Sequence, residues 1–327
     1  MKPLFCTYFD RNFLTKGLAL YRSLSEHMTG EFTLWVLCLD DFTYETLMKL
    51  SPKGLRPISM SEFESGDEEL LKAKTNRSRV EYFFTCTASL LLFALKHNPG
   101  AETVTYLDSD LFFFSSPEPI FDALKDHSIL IIPHRYAEQH RHLEQFGIYN
   151  VGLLTFRNDK AGMECLEWWR ARCNEWCYDR VDNGRFADQG YLNDWPQRFS
   201  NVLVLQHKGA NLAPWNVFQY KITQKDAQIL VDGEPLIFYH FHRLKRLNRW
   251  FCDPGLSQFR SGSITSEIRN WIYRPYLRAL DETWNWVKTK APEAGPGYVR
   301  IQNGRYGYRN LVGDAARSFV RRQLIVL

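Results

Sequence analysis

Short apolar runs alternate with longer stretches of helical periodicity through the first hundred residues, and few folds accept that order. Residues 4–8 are a compact apolar run, and residues 13–27 place Leu14, Leu18, Tyr21 and Leu24 at helical spacing. A second strand is expected over residues 32–39, ending at Asp40 and Asp41, then a short helix over 44–50 and a third strand over 56–59. Residues 62–71 read as a polar helix or loop and 80–97 as a long helix. The turn signal Asn98-Pro99-Gly100 precedes another strand over 104–108. This order predicts an α/β chain built on a mainly parallel sheet flanked by helices. In such sheets ligands bind beyond the carboxyl ends of the strands, where Asp40, Asp108 and Asp110 all fall.

The second half is more mixed. Strands are expected over 129–133, 151–156, 202–205 and 235–240, and helices over 162–179 and from 188 to 193. Residues 265–290 read as a helix kinked or broken at Pro275, followed by a Gly/Pro linker over 293–297. A catalytic unit over 1–260 and a helical extension over 261–327 are the expected domains.

The 327 residues suit one α/β domain with an addition. Mean hydropathy is −0.37, and no uninterrupted apolar run is long enough to cross a bilayer. The N-terminus lacks the apolar core of a secretory signal, so a cytoplasmic chain is expected. Seven cysteines, an odd number spread over apolar segments, suit reduced thiols better than a disulfide framework. Cys173 and Cys177 could share a helix face, but no second pair nearby would complete a zinc site. A net charge of +4 does not point to nucleic acid.

The stretch TVTYLDSDLFFFSSP, residues 103–117, sets Asp108 and Asp110 inside an apolar run. On a strand, residues two apart share a face, so the two carboxylates are expected side by side with Ser109 turned away. Neighbouring carboxylates are costly to hold without a cation. Three readings stand: a structural charge pair or turn cap, a site for magnesium or manganese that also takes phosphates, and an aspartyl-phosphate nucleophile. The last wants the pair after the first strand, whereas here it follows a middle one. His240-Phe241-His242 ends another apolar run and is followed by Arg243, Lys245 and Arg246. That puts metal-capable imidazoles at another strand end, as candidate ligands to go with the carboxylates, and cations that could meet a diphosphate bound by the same metal.

Several segments, in order, resemble nucleotide-sugar glycosyltransferases of the GT-A fold, most closely glycosyltransferase family 8 and its relatives. They are FCTYFDRNFLTKGLALYRSL, YLDSD, YNVGLLTF, FADQGYLND, APWNV and YHFHRLKR, spanning roughly residues 4–246. The resemblance implies a GT-A catalytic domain, Mn2+ or Mg2+, and a nucleotide diphosphate sugar donor, most readily a UDP-sugar. It implies that Thr7 and Tyr8 lie against the base and that Asp108 and Asp110 bind the ion, Asp108 also nearing the ribose. His240 would complete the metal site, with His242 as the alternative. Lys245 or Arg246 would touch the diphosphate, and Asn150, Asp188 and Gln189 would face the sugar and its reacting carbon. Arg77 or Arg79 would grip the phosphates or the sugar. The family's His-Phe-x-Gly-x-x-Lys-Pro-Trp ending is here His240-Phe-His-Arg-Leu-Lys-Arg, without the Gly or the Lys-Pro-Trp.

The implied reaction is transfer of a hexosyl group, with retention of configuration, to a glycan or lipid-linked acceptor. The rival readings are a catalytically silent relative that binds nucleotide sugar or glycan, and a phosphoryl-transfer enzyme. Asp188 also reads as a helix N-cap and Trp215 as a packed side chain; Trp168, Trp169 and Trp176 read as core. The tail carries Arg300, Arg305, Arg309, Arg317, Arg321 and Arg322 against Asp314. From Asp314, Ala315, Ala316, Phe319, Val320 and Leu324 would form an apolar stripe with arginines outside it. Such a helix either lies peripherally on the anionic inner face of a membrane or docks on the catalytic domain.

Overall fold

The structure is a computed structural model and describes residues 3–259, 263–298, 316, 319 and 323–326. The expected alternation organises the first half: β1 (Leu4–Phe9), α1 (Leu14–His27), β2 (Thr33–Cys38), α2 (Asp41–Leu50) and β3 (Leu55–Ser59). Two short helices follow, α3 (Met60–Glu64) and α4 (Glu68–Lys74), and then the long α5 (Arg79–His97). A reciprocal cap starts α5. Ser78 Oγ accepts from the Glu81 N–H, and the Glu81 carboxylate accepts from the Ser78 N–H at 2.7 Å. Beyond α5 come β4 (Thr103–Leu107), β5 (Leu111–Phe113), α6 (Glu118–Leu124), β6 (Ile129–Pro133), β7 (Tyr149–Arg157) and α7 (Lys160–Glu175). The pair α8 (Trp195–Arg198) and β8 (Val202–Val204) completes the main sheet.

That sheet has seven strands in the order β3-β2-β1-β4-β7-β6-β8. Strands β3, β2, β1 and β4 are parallel, while β7 runs antiparallel to both β4 and β6. The order reverses at β1, which has β2 on one side and β4 on the other, and the carboxyl ends at such a reversal are where open α/β sheets take ligands. Alternation along β1 feeds both faces. Leu4 and Cys6 join Leu90, Leu91 and Trp169 beneath α5 and α7. Phe5 and Phe9 join Leu18, Leu24, Leu47 and Ile120 beneath α1, α2 and α6.

The later chain adds a small antiparallel sheet of β9 (Ile222–Lys225), β10 (Gln228–Val231) and β11 (Glu234–Pro235). The single strand expected over 235–240 is broken: β11 ends at Pro235, and β12 (Phe238–His240) pairs antiparallel with β5 instead. Strands β13 (Lys245–Arg246) and β14 (Phe251–Asp253) follow. A π-helical turn over Ile268–Tyr273 runs without a break into α9 (Arg274–Val287), and Pro275 stands just past it, so the expected kink or break at the proline is taken up as a π turn in a continuous helix. A third apolar cluster joins Tyr239 and Phe241 to Ile272, Tyr273, Tyr276 and Leu277.

The last described strand, β15 (Ile325–Val326), pairs with β14, and Gln323 and Ile325 are buried. The arginines of the expected cationic helix lie outside the described residues, while Ala316 and Phe319 are helical and exposed. All seven cysteines are buried and free, and among the described residues no helix is long and apolar enough to cross a membrane.

Phe241 stacks on Tyr276 with ring centroids 3.7 Å apart and is fully buried. Phe241→Ala should therefore lower unfolding free energy by about 3–5 kcal/mol. Urea titration followed by tryptophan fluorescence reads this, and an unchanged midpoint would show that the ring is not part of a tight core.

Candidate active site

Asp108 and Asp110 do converge, but not by strand alternation. β4 ends at Leu107, and residues 108–110 form a turn closed by the Leu111 N–H donating to the Asp108 carbonyl at 3.1 Å. Polar side chains leaving an apolar strand favour that turn over a continued ladder. The backbone then brings up the imidazole. β5 pairs with β12 so that Leu111 stands opposite His240, and the Phe241 N–H donates to the Asp110 carbonyl at 2.9 Å. One ligand atom from each of Asp108, Asp110 and His240 lies within 4.8 Å of the others. His240 Nε2 is 3.1 Å from Asp110 Oδ1 and 3.6 Å from Asp108 Oδ2. Asp108 and Asp110 stay 30% and 14% exposed, so the cluster opens to the surface, while His240 is buried behind them. Two carboxylates and an imidazole form a donor set that fits a magnesium- or manganese-like dication.

The charges are strongly linked. Burial opposes ionisation of Asp110, but His240 and Lys16 outweigh it and hold its carboxyl well below the usual range. Asp108 goes the other way, raised by burial and by the charge of Asp110. At His240 burial works against the imidazolium, yet Asp110 and Asp108 prevail and raise its pKa above the ordinary value. Lys16, on α1, donates to the Leu244 carbonyl at 3.2 Å. The sequence gives no sign of its role, because there it is one more polar residue on an amphipathic helix.

Asp188 forms the adjoining wall. The residue is only 5% exposed, and Oδ2 accepts from the Thr87 hydroxyl at 2.9 Å. Burial, with the Asp108 charge in support, pushes its pKa up to about 7. Ala187 before it is held at a positive φ of 45°, a backbone region unfavourable for alanine. The half-buried Tyr8 ring lies 5.6 Å from that of Tyr106, whose hydroxyl donates to Asp108 Oδ1 at 2.9 Å. Thr7 is fully buried with no hydrogen-bond partner for its hydroxyl among the described residues. Asn150, at the start of β7, is bonded to Gln189, His134 and His240.

The remaining sequence candidates lie further out. The His242 ring is 5.8 Å from that of His240 and 5.6 Å from Trp215, and burial pushes its pKa down to about 3. Trp215 is buried, 5.2 Å from His240 between ring centroids. Arg246 is buried and ion-paired with Asp281, while Lys245 is half-buried on β13 opposite Asp253. Arg77 stacks over Tyr178 at 4.0 Å and donates to the Asn174 carbonyl. Arg79 reaches Asp10 at 3.7 Å. Asp40, also at a strand end, caps α2 by accepting from the Thr43 N–H at 2.7 Å.

No protein-family model matches the chain. Among solved structures it is similar to the galactosyltransferase LgtC in complex with donor and acceptor sugar analogues. That match has a TM-score of 0.51 and 17% identity, and covers 82% of this chain and 99% of that one. It is also similar to the apo-form glycosyltransferase GlyE of Streptococcus pneumoniae TIGR4, with a TM-score of 0.52 and 14% identity, covering 90% and 64% of the two chains. The fold is therefore the GT-A fold of nucleotide-sugar glycosyltransferases. Within it, the chain belongs to the family of the uncharacterized proteins YfnF and YfnD of Bacillus subtilis (strain 168). YfnF is 38% identical over 258 residues, covering 76% of this chain and 84% of its own length. YfnD is 32% identical over 298 residues, covering 90% and 94%.

Asp188 offers a test with a defined sign. The folded chain keeps this proton up to about pH 7, whereas an unfolded aspartate releases it near 3.8. Stability contributed by the neutral acid is therefore lost as pH rises through that window. Asp188→Asn keeps an acceptor for Thr87 and removes the loss. It should raise unfolding free energy at alkaline pH, by at most roughly 4 kcal/mol, and change little near pH 4. Denaturant titrations of metal-free protein at the two pH values measure the difference; an equal effect at both would rule out a buried ionising carboxyl.

Proposed function

We propose that this protein is a metal-dependent glycosyltransferase that moves a hexosyl group from a UDP-sugar to a glycan or lipid-linked acceptor with retention of configuration. One observation carries the reading: Asp108, Asp110 and His240 converge where the strand order reverses, beside the buried carboxyl of Asp188.

Asp108, Asp110 and His240 would hold Mn2+ or Mg2+, which supplies Lewis-acid stabilisation of the charge developing on a departing diphosphate. Lys16, within electrostatic reach of Asp110, adds fixed positive charge on the same side. Tyr8 offers an aromatic face for a base at the carboxyl end of β1. Asp188, once ionised, faces the side on which positive charge grows at the sugar carbon, as in glycoside hydrolysis. The aromatic wall of Tyr8 and Tyr106 limits water around it. Lys245, Arg77 and Arg79, which have other neighbours, remain candidate phosphate or sugar contacts.

A thermal-shift panel of nucleotide sugars with and without Mn2+ tests the proposal. Stabilisation by a UDP-sugar is expected, abolished by chelator and absent in Asp110→Ala. Transfer or donor hydrolysis by Asp188→Asn should fall on the order of 10²-fold or more. Binding of the donor with no hydrolysis or transfer under any acceptor would instead indicate a silent relative. Release of inorganic phosphate through an acyl-phosphate would indicate phosphoryl transfer.

A further inference from the structure

Asn150 has bonds that point to a task other than holding sugar, and the case rests on the metal-dependent reading above. Four backbone groups fix the polarity of the side chains around it. The Gly152 N–H donates to Asn150 Oδ1 at 3.1 Å, so that atom is the amide oxygen. His134 Nδ1 lies 3.3 Å from the Ile148 carbonyl and carries the proton, leaving Nε2 to accept from Asn150 Nδ2 at 3.2 Å. Gln189 Nε2 donates to the Phe146 carbonyl at 2.8 Å, and its Oε1 accepts from the Val151 N–H at 3.3 Å and from Asn150 Nδ2 at 3.2 Å. Both hydrogens of the Asn150 amide are thereby used on one side. On the other side its oxygen meets His240 Nδ1 at 3.3 Å.

An amide oxygen at that place accepts only from N–H. We infer that Asn150 is a positioning residue: it keeps a proton on His240 Nδ1, so that Nε2 is the nitrogen that gives up its proton and is freed for a dication held with Asp108 and Asp110. His134 and Gln189 serve the same end by fixing which way the Asn150 amide points. Gly152 belongs to the device too. A Cβ there would lie 2.5 Å from Asn150 Oδ1 and 3.0 Å from His240 Nδ1, so any side chain would wedge the pair apart. The spacing Asn-x-Gly at the head of β7 therefore supplies both the acceptor and the room for the imidazole.

Two measurements decide it. The first is Mn2+ affinity without nucleotide, read from the electron paramagnetic resonance of the free ion. Asn150→Ala and Gly152→Ala should each weaken binding by about 10- to 100-fold, although neither removes a ligand. The second is the His240 Nδ1–H proton in wild-type protein saturated with diamagnetic Mg2+, read by long-range 1H–15N NMR and assigned with His240→Gln. A hydrogen-bonded, exchange-protected Nδ1–H is expected in the wild type, with that protection lost in Asn150→Ala. A wild-type His240 whose Nδ1 carries no protected proton overturns the inference whether or not the variants fold. So does unchanged Mn2+ affinity in both variants, or a loss confined to nucleotide-sugar affinity. If Asp110→Ala and His240→Gln also leave Mn2+ affinity unchanged, the metal reading itself fails, and the two failures are thus told apart.

Discussion

The pairing of β5 with β12 is the constraint on which the site depends. It is three residues long, yet it alone sets His240 against Leu111 and so beside the turn that carries Asp108 and Asp110. Everything around it makes that short pairing rigid. The Phe241 N–H bonds the Asp110 carbonyl, the His240 N–H bonds the Leu212 carbonyl, and Phe241 and Tyr239 are packed by the aromatic rings of the π-helical turn and α9. Charged groups close enough to perturb one another are thus held by backbone bonds and apolar packing rather than by their own attraction. This suits a site in which two carboxylates must stay together before any cation arrives.

Polarity is sorted with the same economy. On one side of the cluster lies a wired layer of amides and imidazoles, with Asn150, Gln189 and His134 each satisfied by backbone. On the other lies an aromatic and carboxylic wall of Tyr8, Tyr106 and Asp188, where burial holds the acid back from ionising. One wall is fixed in orientation and the other carries an acid that burial makes costly to ionise. Unsatisfied or strained groups of that kind gather where binding energy is meant to be released.

Much of this was legible in the sequence, and the reasons for the rest are physical. The alternation of apolar strand and amphipathic helix over β1 to β4 is a local property, so it gave the parallel half of the sheet correctly. The nearness of Asp108 and Asp110 was right for the wrong reason. Aspartates flanked by apolar residues read as a strand interior, whereas the flanks are two different strands in two different sheets. Strand direction and partner are set by distant residues, so neither the reversal of β7 nor the switch of β12 to β5 left a local mark. The pairing of Arg246 with Asp281 is equally invisible, because an arginine beside a phosphate site and one buried on a carboxylate have the same letter.

The long detour between Asn150 and His240, 90 residues apart, has a consequence for how the protein comes to life. A nascent or half-assembled chain that has formed only the elements up to β5 owns the acidic couple without its imidazole, and would hold a dication weakly. Capture of the proposed ion would wait until β12 has paired with β5. On the proposed metal-dependent reading, occupancy would report completed assembly, and ion supply would favour finished molecules over folding intermediates by simple mass action.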